Sequence, residues 1–194
     1  FTTQPFYEGY LPEEEGHSIY YAQYGNPNGP AIVCLHGGPG SYSKPKHIRG
    51  YDLTTYQVIQ FDQRGVGKST AADPLAANTT QALIADMERL RAVLGVEDWF
   101  VAGNSWGSTL ALAYAETHPA VVRGLLLGAV FLADQRTLEW AFSASAPVID
   151  LFPDAWAIRM EQLATIGLTA PTAPTLAERL QHGTLVEQKT VAAA

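Results

Sequence analysis

Gly103-Asn104-Ser105-Trp106-Gly107 is a G-x-S-x-G pentapeptide, and small residues on either side of a serine are what a chain needs to turn sharply around it. Trp99 to Ala102, just before it, reads as a short strand. Trp106 to Thr117, rich in Ala and Leu and stopped before Pro119, reads as a helix. A serine on such a strand-to-helix turn is forced into strained φ/ψ. Its Oγ then stands at a helix N-terminus, whose dipole favours a developing negative charge. The chemistry this serves is nucleophilic attack on a carbonyl. The alternative, an ordinary Gly/Ser turn, leaves the placement between those two elements unexplained.

His36-Gly37-Gly38-Pro39-Gly40 follows the apolar run Ala31 to Leu35. Glycine lets a backbone N–H approach a substrate carbonyl without a Cβ in the way, so the N–H groups of Gly38 and Trp106 are the expected pair of oxyanion donors. His36 lies on the loop itself and is not read as a general base. Asp62-Gln63-Arg64-Gly65-Val66-Gly67-Lys68-Ser69-Thr70 ends like a phosphate-binding loop at Gly67-Lys68-Ser69. Such a loop needs glycine five positions before Gly67, and Asp62 stands there, so the nucleotide reading fails.

The surrounding sequence supplies the elements that position these residues. Ser18 to Tyr24 and Ala31 to Leu35 read as strands around the turn-forming Asn26-Pro27-Asn28-Gly29-Pro30, and Tyr56 to Phe61 as a third. From Thr80 to Leu94 the period becomes helical, with Leu83, Met87, Leu90 and Leu94 on one face, Thr79 or Thr80 as cap and Gly95 as stop. Val121 to Val130 is strand-like. Strands alternating with helices predict a parallel sheet with helical layers and a ligand site at the carboxyl ends of the strands. Beyond Phe131 the reading is helical, over 135–145, 154–166 and 176–181, with a Thr/Ala/Pro linker at 169–174 and an Ala-rich tail.

At 194 residues and 47% hydrophobic content the chain suits one globular domain, and 16% charged residues exclude disorder. A net charge of -7 argues against nucleic acid or an anionic membrane surface as partner. No apolar run reaches the roughly 18 residues of a membrane span. The single cysteine, Cys34, cannot form an intrachain disulfide, which favours a reducing, cytoplasmic setting.

Taken together, Leu35-His36-Gly37-Gly38-Pro39-Gly40, Phe61-Asp62-Gln63-Arg64-Gly65-x-Gly67-x-Ser69 and Gly103-x-Ser105-Trp106-Gly107-Ser108-Thr109-Leu110-Ala111-Leu112 resemble the proline iminopeptidase (prolyl aminopeptidase) family of α/β-hydrolases, in family order and spacing. Asn104 departs from the glycine common there, a change asparagine's backbone freedom tolerates. The resemblance runs from about Phe6 into a helical cap, where Leu151-Phe152-Pro153-Asp154-Ala155-Trp156 also looks like a family segment. It implies an α/β-hydrolase core over 1–133 that lacks its final strands, and the start of a cap over 134–194.

By that resemblance Ser105 is the nucleophile, and Gly38 and Trp106 supply the oxyanion-hole N–H groups. The reaction is serine aminopeptidase chemistry that releases N-terminal proline from small peptides through an acyl-enzyme, with no metal or cofactor. The family's Asp and His follow later strands in the order Ser, Asp, His, and neither is here. His17, His47, His118 and His182 do not fall in the expected place. The chain, which opens on Phe1, is therefore expected to be an N-terminal portion, inactive and aggregation-prone alone. In the cap, Phe131, Trp140, Phe142, Phe152 and Trp156 are candidate walls for a proline ring, with Phe131 foremost as the residue directly after the strand 121–130. Glu139, Asp150 and Glu161 are candidate partners of an ammonium. Two other readings stay open: a related hydrolase acting on amino-acid amides or small esters, and a non-catalytic truncated product that serves as a binding module.

Overall fold

The computed structural model describes residues 4–38, 40–143 and 147–193, with the side chains of 141, 142, 147, 148 and 193 outside that description. The chain divides into two compact units, Phe1–Phe131 and Leu132–Ala194.

The first unit contains β1 (Tyr7–Tyr10), β2 (His17–Ser18), β3 (Tyr20–Gly25), β4 (Ala31–Leu35), β5 (Gln57–Phe61), β6 (Thr70–Ala71), α1 (Thr80–Val93), β7 (Trp99–Asn104), α2 (Trp106–Thr117) and β8 (Val122–Gly128). Six strands form one sheet in the order β1-β3-β5-β4-β7-β8, while β2 and β6 pair separately. The pairs β5/β4, β4/β7 and β7/β8 are parallel; β1/β3 and β3/β5 are antiparallel. The sheet is mostly parallel, with its two antiparallel pairs at the β1 side.

The continuous apolar runs of β4 and β5 are buried throughout, as strands covered on both faces must be. Alternation splits their side chains between two clusters. Val33, Leu35, Ile59, Phe61 and Val101 pack with Leu83, Met87 and Leu90 of α1 and Leu110, Ala111 and Tyr114 of α2. Ile32, Cys34, Val58 and Ala102 face the opposite side, with Tyr20, Tyr24 and Ile48. Each fully buried Leu, Ile or Met contributes about 1.5–3 kcal/mol, so this two-sided core clamps the ends of β4 and β7, where the loops of interest begin. Thr79 is the cap that α1 uses, its Oγ1 accepting from Ala82 N–H at 3.2 Å. Gly95, at φ 66°, follows the helix.

β3 and β4, consecutive in sequence, are not neighbours in the sheet, because β5 lies between them. The turn at 26–30 is not a hairpin turn. It packs against the segment leading into β5, where a Cβ on Gly29 would lie 2.0 Å from Thr55 O. β1 and the short β2 and β6 carry too few alternating residues to be read from sequence.

Among the described residues β8 pairs with β7 alone, leaving its other edge open, and Leu125 and Leu126 are 37% and 46% exposed. An unpaired parallel edge with apolar side chains templates association. The isolated 194-residue chain is therefore expected to self-associate with rising concentration in sedimentation velocity. Leu126→Lys, which puts charge beside that edge, should shift it toward monomer; unchanged association in the variant would locate the sticky surface elsewhere.

The second unit holds α3 (Gln135–Phe142), α4 (Pro153–Ala164), α5 (Ala173–His182) and α6 (Leu185–Ala193). Asp134 caps α3 by accepting from Thr137 N–H at 2.8 Å, and Thr172 caps α5. Leu163 and Leu176 are its buried leucines among the described residues. The tail expected to be merely Ala-rich forms α6.

Candidate active site

Ser105 sits between β7 and α2 with φ 56° and ψ −125°, a backbone region that costs a non-glycine residue about 1–3 kcal/mol. The surroundings impose that conformation. Ser105 N–H donates to Gly128 O at 3.1 Å. Ser105 O accepts from Ser108 N–H at 2.8 Å and from Ser108 Oγ at 2.6 Å. The flanking glycines are required because α2 presses directly on the strand ends: a Cβ on Gly103 would lie 2.0 Å from Gly107 O, and one on Gly107 would lie 2.4 Å from Leu35 O.

The loop after β4 lies against this turn, since a Cβ on Gly37 would stand 3.0 Å from Asn104 O and 3.3 Å from Ser105 Cβ. Gly38 is exposed with φ 127°, which favours glycine. Pro39 lies outside the described residues. Trp106 is the first residue of α2, so its N–H is one of the four amides a helix leaves without an internal acceptor. The structure thus puts Ser105, Gly38 and Trp106 on two adjoining loops.

His36 is buried and fully engaged. Its Nε2 accepts from Gln63 N–H at 3.0 Å, which leaves the proton on Nδ1 to be donated to Gly37 O at 2.9 Å. Burial holds its pKa below the usual imidazole range, so the ring is neutral near pH 7 and serves the loop rather than a reaction. Asp62 accepts from Ser43 N–H and Lys68 N–H, each at 2.8 Å, closing its own loop. A phosphate loop would keep such amides for its ligand. Lys68 Nζ is likewise taken, by Glu8 at 3.1 Å and Tyr20 Oη at 3.0 Å. Arg64, with a side chain 2% exposed, bonds Asp86 through Nε at 2.7 Å and Nη2 at 3.0 Å, and bonds Glu15 at 2.6 Å and Ala77 O at 2.8 Å through Nη1.

A cavity of about 580 Å³ opens where β4, β7 and β8 end, lined by residues including Cys34, Gly37, His47, Tyr51, Asn104 and Gly128. Burial pushes the Cys34 thiol up to about 12, so it is protonated and no rival nucleophile. Among the described residues no histidine is hydrogen-bonded to Ser105 Oγ. His17 Nε2 bonds Ala76 O at 2.7 Å, His47 Nδ1 accepts from Lys44 N–H at 3.3 Å, and His118 packs on the Tyr114 ring. His182 belongs to α5 of the second unit.

Phe131, half-buried at the end of the first unit, is held by its backbone: its N–H donates to Ser108 Oγ at 3.0 Å and its carbonyl accepts from Thr109 Oγ1. Of the cap candidates, Trp140 and Phe152 are 47% and 62% exposed, Trp156 is half-buried, and Glu139, Asp150 and Glu161 are exposed. The side chain of Phe142 lies outside the described residues. Reading the motifs alone missed three working groups. Gln63 joins His36 to Trp106, Asp86 neutralises Arg64, and Ser108 with Thr109 grips Phe131. The only signal for them was their place inside the motifs, or, for Asp86, a charge on the apolar face of α1.

The family model described as the alpha/beta hydrolase fold matches residues 30–156. A proline iminopeptidase of Xylella fastidiosa is 49% identical over 152 residues, covering 78% of this chain and 48% of its own length. A probable proline iminopeptidase of Leptolyngbya boryana is 46% identical over 159 residues, covering 82% of this chain and 49% of its own. The chain thus spans about half the length of these relatives. Among solved structures, a proline iminopeptidase-related protein of Thermus thermophilus matches with TM-score 0.56 and 34% identity over 62% of this chain and 43% of that one.

Proposed function

The chain belongs to the alpha/beta hydrolase fold family, and from that premise we propose that it carries the nucleophilic portion of a serine aminopeptidase that releases N-terminal proline from small peptides. The observation that carries the reading is Ser105 at positive φ, at the head of α2 and beside the Gly37-Gly38 loop. The relatives named as proline iminopeptidases support the choice of substrate.

In the proposed reaction Ser105 Oγ attacks the first peptide carbonyl, and its proton passes to a histidine. The new C–O bond makes a tetrahedral oxyanion held by the N–H groups of Gly38 and Trp106. The C–N bond then breaks, the histidine protonates the leaving amine, and water cleaves the ester to free proline and restore the serine. Acyl transfer of this kind needs neither metal nor cofactor. We place the histidine and its aspartate in the part of the protein that corresponds to the relatives' unmatched length. On this reading the 194 residues alone do not turn over, because an unassisted serine is a weak nucleophile. Residues 134–194 begin a cap, and Phe131 stands at the mouth of the site as a wall for the proline ring.

The test compares 4-nitroanilides of proline and alanine with 4-nitrophenyl acetate on the intact gene product. The expected result is a kcat/KM for the proline anilide at least about tenfold above that for alanine, the difference a fitted apolar pocket makes. Equal or better turnover of the ester would overturn the aminopeptidase reading in favour of an esterase built on the same turn.

A further inference from the structure

The Asp62-Gln63-Arg64-Gly65 loop touches both halves of the proposed oxyanion hole, and it does so through one side chain. Gln63 is buried, 4% exposed. Its Nε2 donates to His36 O at 3.0 Å, and its Oε1 accepts from the indole Nε1–H of Trp106 at 2.9 Å. Only one orientation of the amide satisfies both partners, since a carbonyl can only accept and an indole N–H can only donate. The backbone of Gln63 is fixed as well, by its own N–H on His36 Nε2 and by the anchored carboxylate and guanidinium of its neighbours Asp62 and Arg64.

Peptide planarity carries these bonds to the donors. The bond to His36 O fixes the plane of the His36-Gly37 peptide. The bond from His36 Nδ1–H to Gly37 O, at 2.9 Å, fixes the next plane. In a trans peptide the N–H points opposite to the C=O, so the direction of Gly38 N–H is set by a hydrogen-bonded chain that begins at Gln63. At its other end the amide holds the indole of Trp106, whose backbone N–H is the second donor.

We propose that Gln63 is a positioning residue that locks the Gly38 and Trp106 N–H groups into one oxyanion-binding geometry. The inference rests on the acyl-transfer reading of Ser105. An oxyanion donor acts only within a narrow distance and angle, and a shift of about 1 Å costs on the order of 100-fold in rate. Because the donors meet developing charge, their loss is felt in the transition state and not in substrate binding.

The test uses the intact gene product with proline 4-nitroanilide, rates being referred to active sites titrated with a serine-directed phosphonate. Gln63→Leu breaks both links. Gln63→Glu keeps an acceptor for Trp106 but sets a carboxylate against His36 O, and Trp106→Phe removes the indole link while keeping the backbone N–H. The expected result is a kcat per titrated site lower by about 10- to 100-fold in the Gln63 variants and about 3- to 10-fold in Trp106→Phe, with KM within about twofold of the parent. Affinity for a proline boronate, whose tetrahedral adduct occupies the hole, should fall in step with kcat/KM. Inhibition by free proline should stay within about twofold.

A purely structural role would lower the number of titratable sites and leave these ratios alone. The inference is overturned if kcat per site stays within twofold of the parent or if boronate affinity does not move. Should Gln63→Leu fail to fold, Gln63→Glu and Trp106→Phe decide. Ser105→Ala separates the two levels. If it retains turnover, the acyl-transfer reading falls and takes this inference with it. If it abolishes turnover while the Gln63 variants stay at parental rates, only the inference falls.

Discussion

Ser105→Ala is expected to lower kcat for proline 4-nitroanilide by about 10⁴- to 10⁶-fold in the intact gene product, with KM changed by less than about threefold. The size follows from losing the attacking atom itself, which leaves only what binding and the oxyanion donors can do for water. Alanine fits the site structurally, because the turn is held by the backbone of residue 105 and not by its hydroxyl. Ser105 N–H bonds Gly128 O and Ser105 O accepts from Ser108. The thermal midpoint should therefore stay within a few degrees of the parent, which separates lost chemistry from lost fold. A serine-directed phosphonate should add its mass to the peptide containing residue 105 in the parent and not in the variant. Labelling at another serine, or a rate loss below about 100-fold, would place the nucleophile elsewhere.

The second large effect concerns stability. Asp86 is 1% exposed and meets Arg64, itself 2% exposed, through two hydrogen bonds. Removing one member of a buried pair costs up to about 3–5 kcal/mol, and Arg64 would be left with only Glu15 and Ala77 O as partners. Asp86→Ala should thus lower the urea midpoint of the intact protein by a large fraction of its total stability, while Asp86→Asn, which keeps an acceptor, should lose less. Arg64→Met combined with Asp86→Leu should regain much of the loss, since a well-packed apolar pair of similar volume is often as stable as the ion pair it replaces. A double variant no better than Asp86→Ala would mean that Glu15 and Ala77 O, the other partners of Arg64, carry the loop.

The parts of the molecule that sequence made legible share a physical character. α1 follows from period, cap and stop residues, α2 from its Ala and Leu content ahead of Pro119, and β4 from a short apolar run, because each is encoded locally. The turn at Ser105 is legible for the same reason, since Gly103 and Gly107 stand where backbone meets backbone and no Cβ fits. The strand order is not encoded locally. Nothing between Tyr20 and Phe61 says that β5 enters between β3 and β4, because that choice is made by packing across the whole sheet. Gln63 and Asp86 escaped notice for a related reason. A polar residue inside a motif or on a helix face looks solvated until its partner arrives from a distant segment: 27 positions away for Gln63 with His36, and 22 for Asp86 with Arg64.

The grip of Ser108 and Thr109 on the backbone of Phe131 has a meaning for protein engineering. Main-chain groups at 131 are tied to the first turn of α2 whatever side chains follow, so the geometry of the serine turn is insulated from the sequence beyond that point. Residue 132 is accordingly a natural seam for recombination. Segments from other members of the fold could be joined there while leaving the serine's own setting untouched.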